Sequence, residues 1–268
     1  MKNGIRRLNG CRRKQVQRNT SNKLCIGTWN VKTLLKPGKM QELAGKLVKT
    51  QLGIVAIQEI RWSGTGLIKK KYFSLYYSGT IDQTGQAGTG FIILGGVINN
   101  VIGFEAISKR LCKIRIISKY NNMTMINMYT PTEDKVNAEK EKFYDDLQTV
   151  IDRTPKSDTT LVLGDANAKL RMEDVYRGVS GKHTLHEISN RNGKMLLELA
   201  LGNNLTVMST QFQHKKIHKG TSKKKELIED VRTIRGLNID SNHYLLKIIV
   251  NQKLPKIYYK RTRDFTGR

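Results

Sequence analysis

Acidic residues are scarce: 22 Asp and Glu stand against 48 Lys and Arg, a net charge of +26 over 268 residues. That imbalance favours a polyanion as partner, nucleic acid first and an anionic membrane surface second. Cysteine is scarcer still. Cys11, Cys25 and Cys112 are odd in number and no CxxC pair occurs. This gives no disulfide framework and no zinc-ligand spacing, and it fits a reducing compartment. Long hydrophobic runs are absent: the longest near-continuous one, residues 91–98, is far too short to span a bilayer. The basic N-terminus lacks the apolar centre of a secretory signal. The expectation is an intracellular protein of nucleus or cytoplasm with no membrane partner. Neither GxGxxG nor GxxxxGK[ST] occurs, which removes two common phosphate cradles. No small-molecule cofactor is expected.

Enough remains to build a core. Apolar residues make up 38% of the chain, and a unit of about 230 residues buries roughly 70–75% of its unfolded surface. Residues 1–23 hold eight basic residues and no acidic one, and read as a basic arm. Residues 251–268 read as a basic tail. The domain between, residues 24–250, shows short β-type runs at 25–29, 54–57, 72–77, 90–94, 97–104, 113–118, 123–128, 159–163, 205–209 and 244–250. Met40, Leu43, Ala44, Leu47 and Val48 recur at helical spacing. Further helices are expected over 137–152, stopped by Pro155, and over 190–201. Many strands with few helices indicate a layered α/β domain with mixed sheets.

Several strands lead into residues suited to phosphate or metal chemistry. Residues 25–29 lead to Asn30, residues 54–57 to Gln58 and Glu59, residues 123–128 to Tyr129, and residues 161–163 to Asp165 and Asn167. Ser241, Asn242 and His243 precede the last strand. In mixed sheets these ends can share one rim. Glu supplies a hard oxygen to Mg²⁺, a second carboxylate can deprotonate water, and His can stabilise charge on a phosphoryl oxygen.

The ordered motifs TWNV (28–31), QEIRW (58–62), GTGF (88–91), NMYTP (127–131), LGDANAK (163–169) and SNHY (241–244) resemble the endonuclease/exonuclease/phosphatase superfamily. The nearest resemblance is to endonuclease domains of RTE/Bov-B-type non-LTR retrotransposons, over residues 24–212 and again 230–250. The resemblance implies a four-layer sandwich of two mostly antiparallel β-sheets flanked by helices. It implies Mg²⁺-dependent cleavage of DNA or another nucleic acid by a monomer, with Mn²⁺ as an alternative ion. Carried to matching positions, Glu59, Asn30 and Asn242 serve the metal. Asp165, Asn167, His243 and Tyr129 serve catalysis. Tyr129 contacts the scissile phosphate, Asp165 orients or deprotonates water, and His243 stabilises the transition state.

Three positions depart from the family pattern. Lys32 stands where many members have an acid. The family's Ser-Asp-His reads Ser241-Asn242-His243, which removes a unit of negative charge. A tryptophan-bearing strand and an acid-bearing strand expected between residues 221 and 230 are missing, so part of the C-terminal half is absent. Loss of an orienting acid costs about 10⁴ in rate in serine proteases. The expectation is therefore an endonuclease domain of retrotransposon origin with weakened or lost catalysis. The alternatives are a non-catalytic nucleic-acid-binding remnant and a phosphoinositide phosphatase of the same superfamily.

Overall fold

A computed structural model describes residues 23–80, 85–171, 173–184, 186–212, 221–222, 227–237 and 239–257. The basic arm and tail lie outside the described residues, apart from Lys23 and residues 251–257. In chain order the elements are β1 (Leu24–Asn30), α1 (Lys39–Val48), β2 (Ile54–Gln58), β3 (Thr65–Lys69), β4 (Phe73–Ser78) and β5 (Thr89–Leu94). Then come β6 (Val101–Ser108), β7 (Leu111–Ile116), β8 (Met123–Tyr129), α2 (Asn137–Asp152), β9 (Thr159–Asp165) and α3 (Arg191–Gly202). The last are β10 (Thr206–Val207), β11 (Thr221–Ser222), β12 (Ile228–Ile234) and β13 (Leu245–Val250).

One sheet has the order β12-β13-β1-β2-β5-β4-β3 and the other β10-β11-β9-β8-β7-β6. Each is antiparallel except for one central parallel pair, β1 with β2 and β8 with β9. Parallel neighbours need a crossover, and helices α1 and α2 supply it. Because side chains alternate along a strand, each strand feeds two layers. Ile26, Ile54, Ala56, Phe91, Ile114, Met125 and Leu163 meet between the sheets. Val55, Ile57 and Ile92 instead face Leu43, Ala44 and Leu47 of α1. Ile126, Met128 and Val162 face Phe143 and Leu147 of α2 and Leu196 and Leu197 of α3. The layers therefore run helix, sheet, sheet, helices.

The same alternation fixes the ends. On β1, the inward series Leu24, Ile26, Thr28 reaches Asn30, and on β9 Leu161, Leu163 reaches Asp165. On β8 the inward series Met123, Met125, Asn127 reaches Tyr129. In register, Asn30 lies beside Gln58 and Tyr129 beside Asp165. Both parallel pairs thus deliver polar inward-facing residues to their carboxyl ends.

Some local expectations are corrected. The strand expected over 97–104 opens instead as a 3₁₀ helix at Gly95–Asn100. Gly95 turns there with φ 55°. Residues 205–209 supply only β10 before another 3₁₀ turn, Met208–Thr210. β3 and β12 are edge strands whose mixed polarity carried little sequence signal. β11 and β12 border the stretch read as shortened, and residues 223–226 lie outside the described residues.

Two buried polar arrangements brace the sandwich. Behind the carboxyl ends, the Gln58 amide donates to Asn127 Oδ1 at 2.7 Å and to Thr28 Oγ1 at 3.1 Å. Asn127 donates onward to the carbonyls of Ile57 and Gly90, tying the two sheets together. At another point Asp158, its side chain 1% exposed, accepts from Arg115 Nε at 2.7 Å and from Thr124 Oγ1 at 2.7 Å. Burial alone pushes the Asp158 carboxyl up, but the Arg115 and Thr124 hydrogen bonds hold it below the usual carboxylate range.

Leaving one buried amide unpaired costs about 1–3 kcal/mol, whereas removing both partners is nearly neutral. Gln58→Leu and Asn127→Leu should each lower stability by that amount in urea titration, and the double change by less than the sum of the two. Asp158→Asn should cost about 1–3 kcal/mol, at the low side for a buried pair because Arg115 is partly solvated. The depressed folded pKa places that contribution above the unfolded value near 4, to be lost as pH falls through the folded value. The gap between wild type and Asp158→Asn should therefore close as urea titrations move from about pH 6 to pH 3.

Candidate active site

The two carboxyl ends meet at Asn30, which is 2% exposed. Its Nδ2 donates to Glu59 Oε1 at 2.7 Å and to Asp165 Oδ2 at 3.0 Å. One amide thus clamps two carboxylates that are 106 residues apart in sequence, as their numbering shows. Its own oxygen accepts the Lys32 N–H at 3.0 Å. In this arrangement Asn30 turns its donor, rather than its oxygen, toward the acids.

Glu59 leaves β2 on a strained backbone: φ is 55° at Glu59 and 64° at Arg61, a region that side-chain-bearing residues seldom adopt. The turn is held by Ile60 and Arg61 N–H groups donating to the carbonyls of Gly88 and Ala87. Gly88 itself sits at φ 95°, and a Cβ there would lie 2.9 Å from the Arg61 nitrogen. Glu59 Oε1 also accepts the Tyr129 hydroxyl at 3.0 Å, and Oε2 accepts Arg61 at 3.0 Å. Burial, with the Glu59 and Asp165 charges nearby, pushes the Tyr129 phenol well above its ordinary value, so it stays a donor at neutral pH. The Arg110 guanidinium lies 5.2 Å from the Tyr129 ring centre and its Nη1 donates to the Tyr129 carbonyl at 3.3 Å.

Asp165 is 5% exposed. Its Oδ1 accepts the Asn167 N–H at 3.1 Å, and Asn167 Nδ2 donates to the Thr130 carbonyl at 2.8 Å. Gly164 just before it has φ 139°, and a Cβ there would come 1.9 Å from the Met128 carbonyl oxygen. Glycine is therefore required next to the acid. His243 Nδ1 stands 3.7 Å from Asp165 Oδ2, longer than a hydrogen bond. Its backbone is fixed: His243 N–H donates to Ser241 Oγ, Ser241 Oγ donates to the Asn30 carbonyl at 2.7 Å, and Trp29 Nε1 donates to the His243 carbonyl at 2.8 Å.

Asn30, Glu59, Tyr129, Asp165, Asn167 and His243 are thus brought together. Asn242 is exposed and, among the described residues, joins none of the cluster's hydrogen bonds. Three acids of the C-terminal half form ion pairs of their own: Glu229 with Lys23 at 2.6 Å, Asp230 with Arg232 at 3.2 Å and Asp240 with Lys39 at 2.9 Å. Sequence reasoning overlooked Arg110 and Asn127, and it named Gln58 at its strand end without the bracing role it has. A polar residue at an inward position of an otherwise apolar strand is the signal that marks the last two.

Among the described residues no group of three or more His, Cys, Asp or Glu side chains forms a closed metal cage. The donors present are two carboxylates at a half-open rim. That set suits Mg²⁺, which keeps several waters and is commonly held by one or two carboxylates together with substrate phosphate. No helix among the described residues is long and apolar enough to cross a membrane.

No protein-family model matches the chain. Among curated proteins it is 30% identical over 259 residues to craniofacial development protein 2 of Bos taurus, covering 90% of this chain and 43% of that protein. The Tragulus javanicus protein of the same name is 29% identical, over 91% of this chain and 45% of that protein. The chain spans less than half the length of these relatives. Among solved structures, the catalytic domain of Xenopus laevis APE2 matches at TM-score 0.63 and 14% identity, over 87% of this chain and 94% of that one. The endonuclease domain of TRAS1, a telomere-specific non-LTR retrotransposon, matches at 0.58 and 15%, over 85% and 98%. An endonuclease/exonuclease/phosphatase family protein from Leptotrichia buccalis matches at 0.50 and 16%, over 84% and 98%. With its two mixed sheets, outer helices and ordered motifs, the chain has the fold of the endonuclease/exonuclease/phosphatase superfamily.

Proposed function

We propose that the cluster hydrolyses a phosphodiester of nucleic acid, as a nuclease domain of retrotransposon origin whose turnover is weakened. The observation that carries the reading is the Asn30 amide shared between Glu59 and Asp165. Such an arrangement has no evident use in packing, since it holds two like charges together at a rim. The likeness to the TRAS1 endonuclease fold and the quoted motifs support the retroelement origin.

Glu59 and Asp165 are the residues to hold Mg²⁺, or Mn²⁺ in its place. When bound, the ion offsets phosphate charge and favours deprotonated water at neutral pH. Asp165 accepts the proton of the attacking water, while Asn167 N–H keeps its carboxylate aimed. Water adds to phosphorus and the bond from phosphorus to the 3′ oxygen breaks; that oxygen takes a proton from solvent water, Asp165 returns its proton to solvent, and the strand is left with a 3′ hydroxyl and a 5′ phosphate. Tyr129, held protonated, turns its one hydroxyl proton from Glu59 Oε1 to a phosphoryl oxygen when substrate is bound. Arg61 and Arg110 add positive charge around the same phosphate, and His243 stabilises the charge that builds in the transition state. The 3.7 Å gap from His243 to Asp165 and the exposed neutral Asn242 support weakened turnover.

Plasmid nicking by the full chain, with Mg²⁺ and with chelator, tests this. Asp165→Asn and Glu59→Gln should each lower nicking by about 10³-fold, and His243→Ala by about 10². Nicking that survives both carboxylate changes would reject the assigned site. Salt-sensitive DNA binding with no nicking in the wild type would instead favour the non-catalytic binding remnant.

A further inference from the structure

Beside the cluster, the exit of β1 and the start of α1 wall a pocket of about 270 Å³. Lys32, Lys36, Lys39 and Arg61 line it, with Asp240 as its one acid. The floor is apolar, made by Val31 and Ile239, both fully buried. The pocket shares a wall with the cluster, because Arg61 touches Glu59 and the Lys32 N–H touches Asn30.

The charges in it are unequally committed. Lys32 and Lys36 are exposed and form no ion pair among the described residues. The Lys39 side chain is only 6% exposed, and a buried ammonium demands an anion. Its short partner is Asp240 Oδ2 at 2.9 Å, with Glu42 farther off at 3.5 Å. Asp240 itself is 70% exposed at its side chain and sits at φ 57°. A solvated carboxylate on a strained backbone gains little by staying paired, so another anion can take its place.

We propose that this pocket is a second phosphate subsite, for the phosphodiester adjoining the one at Glu59 and Asp165, and that Asp240 guards it as an intramolecular anion. The subsite rests on the nucleic-acid reading above, since a strand brings a second phosphate in next to the one being cleaved. Lys32 and Lys36 take the phosphate oxygens, and Lys39 is released to them from Asp240.

The test is fluorescence anisotropy of a short labelled single-stranded DNA oligonucleotide with the full chain, in chelator so that no cleavage occurs. The double change Lys32→Gln with Lys36→Gln should weaken binding about tenfold and flatten the salt dependence by about one unit of slope. Both side chains are exposed, so folding should be retained, and circular dichroism checks it. Asp240→Asn should tighten binding severalfold, whereas Glu105→Gln should not. Glu105 is a comparably exposed acid paired to Lys113 on the far edge of the other sheet. Equal gains from Asp240→Asn and Glu105→Gln would reduce the guard to a bulk charge effect and overturn it. Inorganic phosphate as competitor separates a strand subsite from a free-anion site. Oligonucleotide retained against excess phosphate supports the strand, and displacement at equal concentration contradicts it. Plasmid nicking, scored separately, judges the Glu59–Asp165 reading. Binding that follows Lys32, Lys36 and Asp240 upholds the subsite even without nicking, and binding indifferent to all three overturns it even where nicking is intact.

Discussion

Two carboxylates held close together at a partly buried rim repel each other unless donors or cations intervene. Here the intervening group is the Asn30 amide, and its position depends on the whole architecture. It must come from the last residue of a central strand, on the inward face, at the height where the other sheet's parallel pair also ends. The β1–β2 register sets Asn30 beside Gln58 and so places Glu59 one residue beyond the sheet. The β8–β9 register sets Tyr129 beside Asp165. A one-residue slip in either pair would turn these side chains from the rim to the outer helices. The Gln58–Asn127 contact between sheets opposes such a slip, because it too exists in only one register.

Charge is organised on two scales. The net charge of +26 gives long-range attraction to a polyanion and carries no information about where the anion sits. The local arrangement does. Two acids are gathered at the rim, each hydrogen-bonded but with oxygen lone pairs to spare, with Arg61 paired to Glu59 and Arg110 lying over the Tyr129 ring. The pocket beside it continues the same pattern with the signs reversed: several cations and one acid. A phosphate-bearing strand crossing this end would meet a carboxylate pair suited to a divalent ion and then a lysine-lined hollow.

Much of this was readable in the sequence, and for identifiable reasons. The helix face Met40, Leu43, Ala44 and Leu47 is periodic because it packs on one sheet, and those residues are buried, whereas Val48, expected on the same face, closes the helix 56% exposed. The ends of β1, β8 and β9 announced themselves because an apolar run gives way to Asn, Tyr or Asp at a defined residue. Pairing was not readable. Nothing local in residues 54–58 says that β2 lies parallel to β1 and antiparallel to β5, since that depends on α1 folding back over the sheet. Edge strands were missed for a related reason. β3 alternates exposed and half-buried residues and β12 carries Glu229, Asp230 and Arg232, so neither offers the apolar run of a central strand. Arg110 was overlooked because its role arises from the turn between β6 and β7 reaching the ring of Tyr129, a contact between residues on different strands.

The central claim is that Glu59 and Asp165, joined through Asn30, form one site for one divalent ion. Mn²⁺ binding followed by electron paramagnetic resonance on the full chain tests it without reference to turnover. The account predicts a single bound Mn²⁺ per chain, displaced by Mg²⁺, and lost in both Glu59→Gln and Asp165→Asn. Mn²⁺ binding of unchanged affinity in both variants would contradict it.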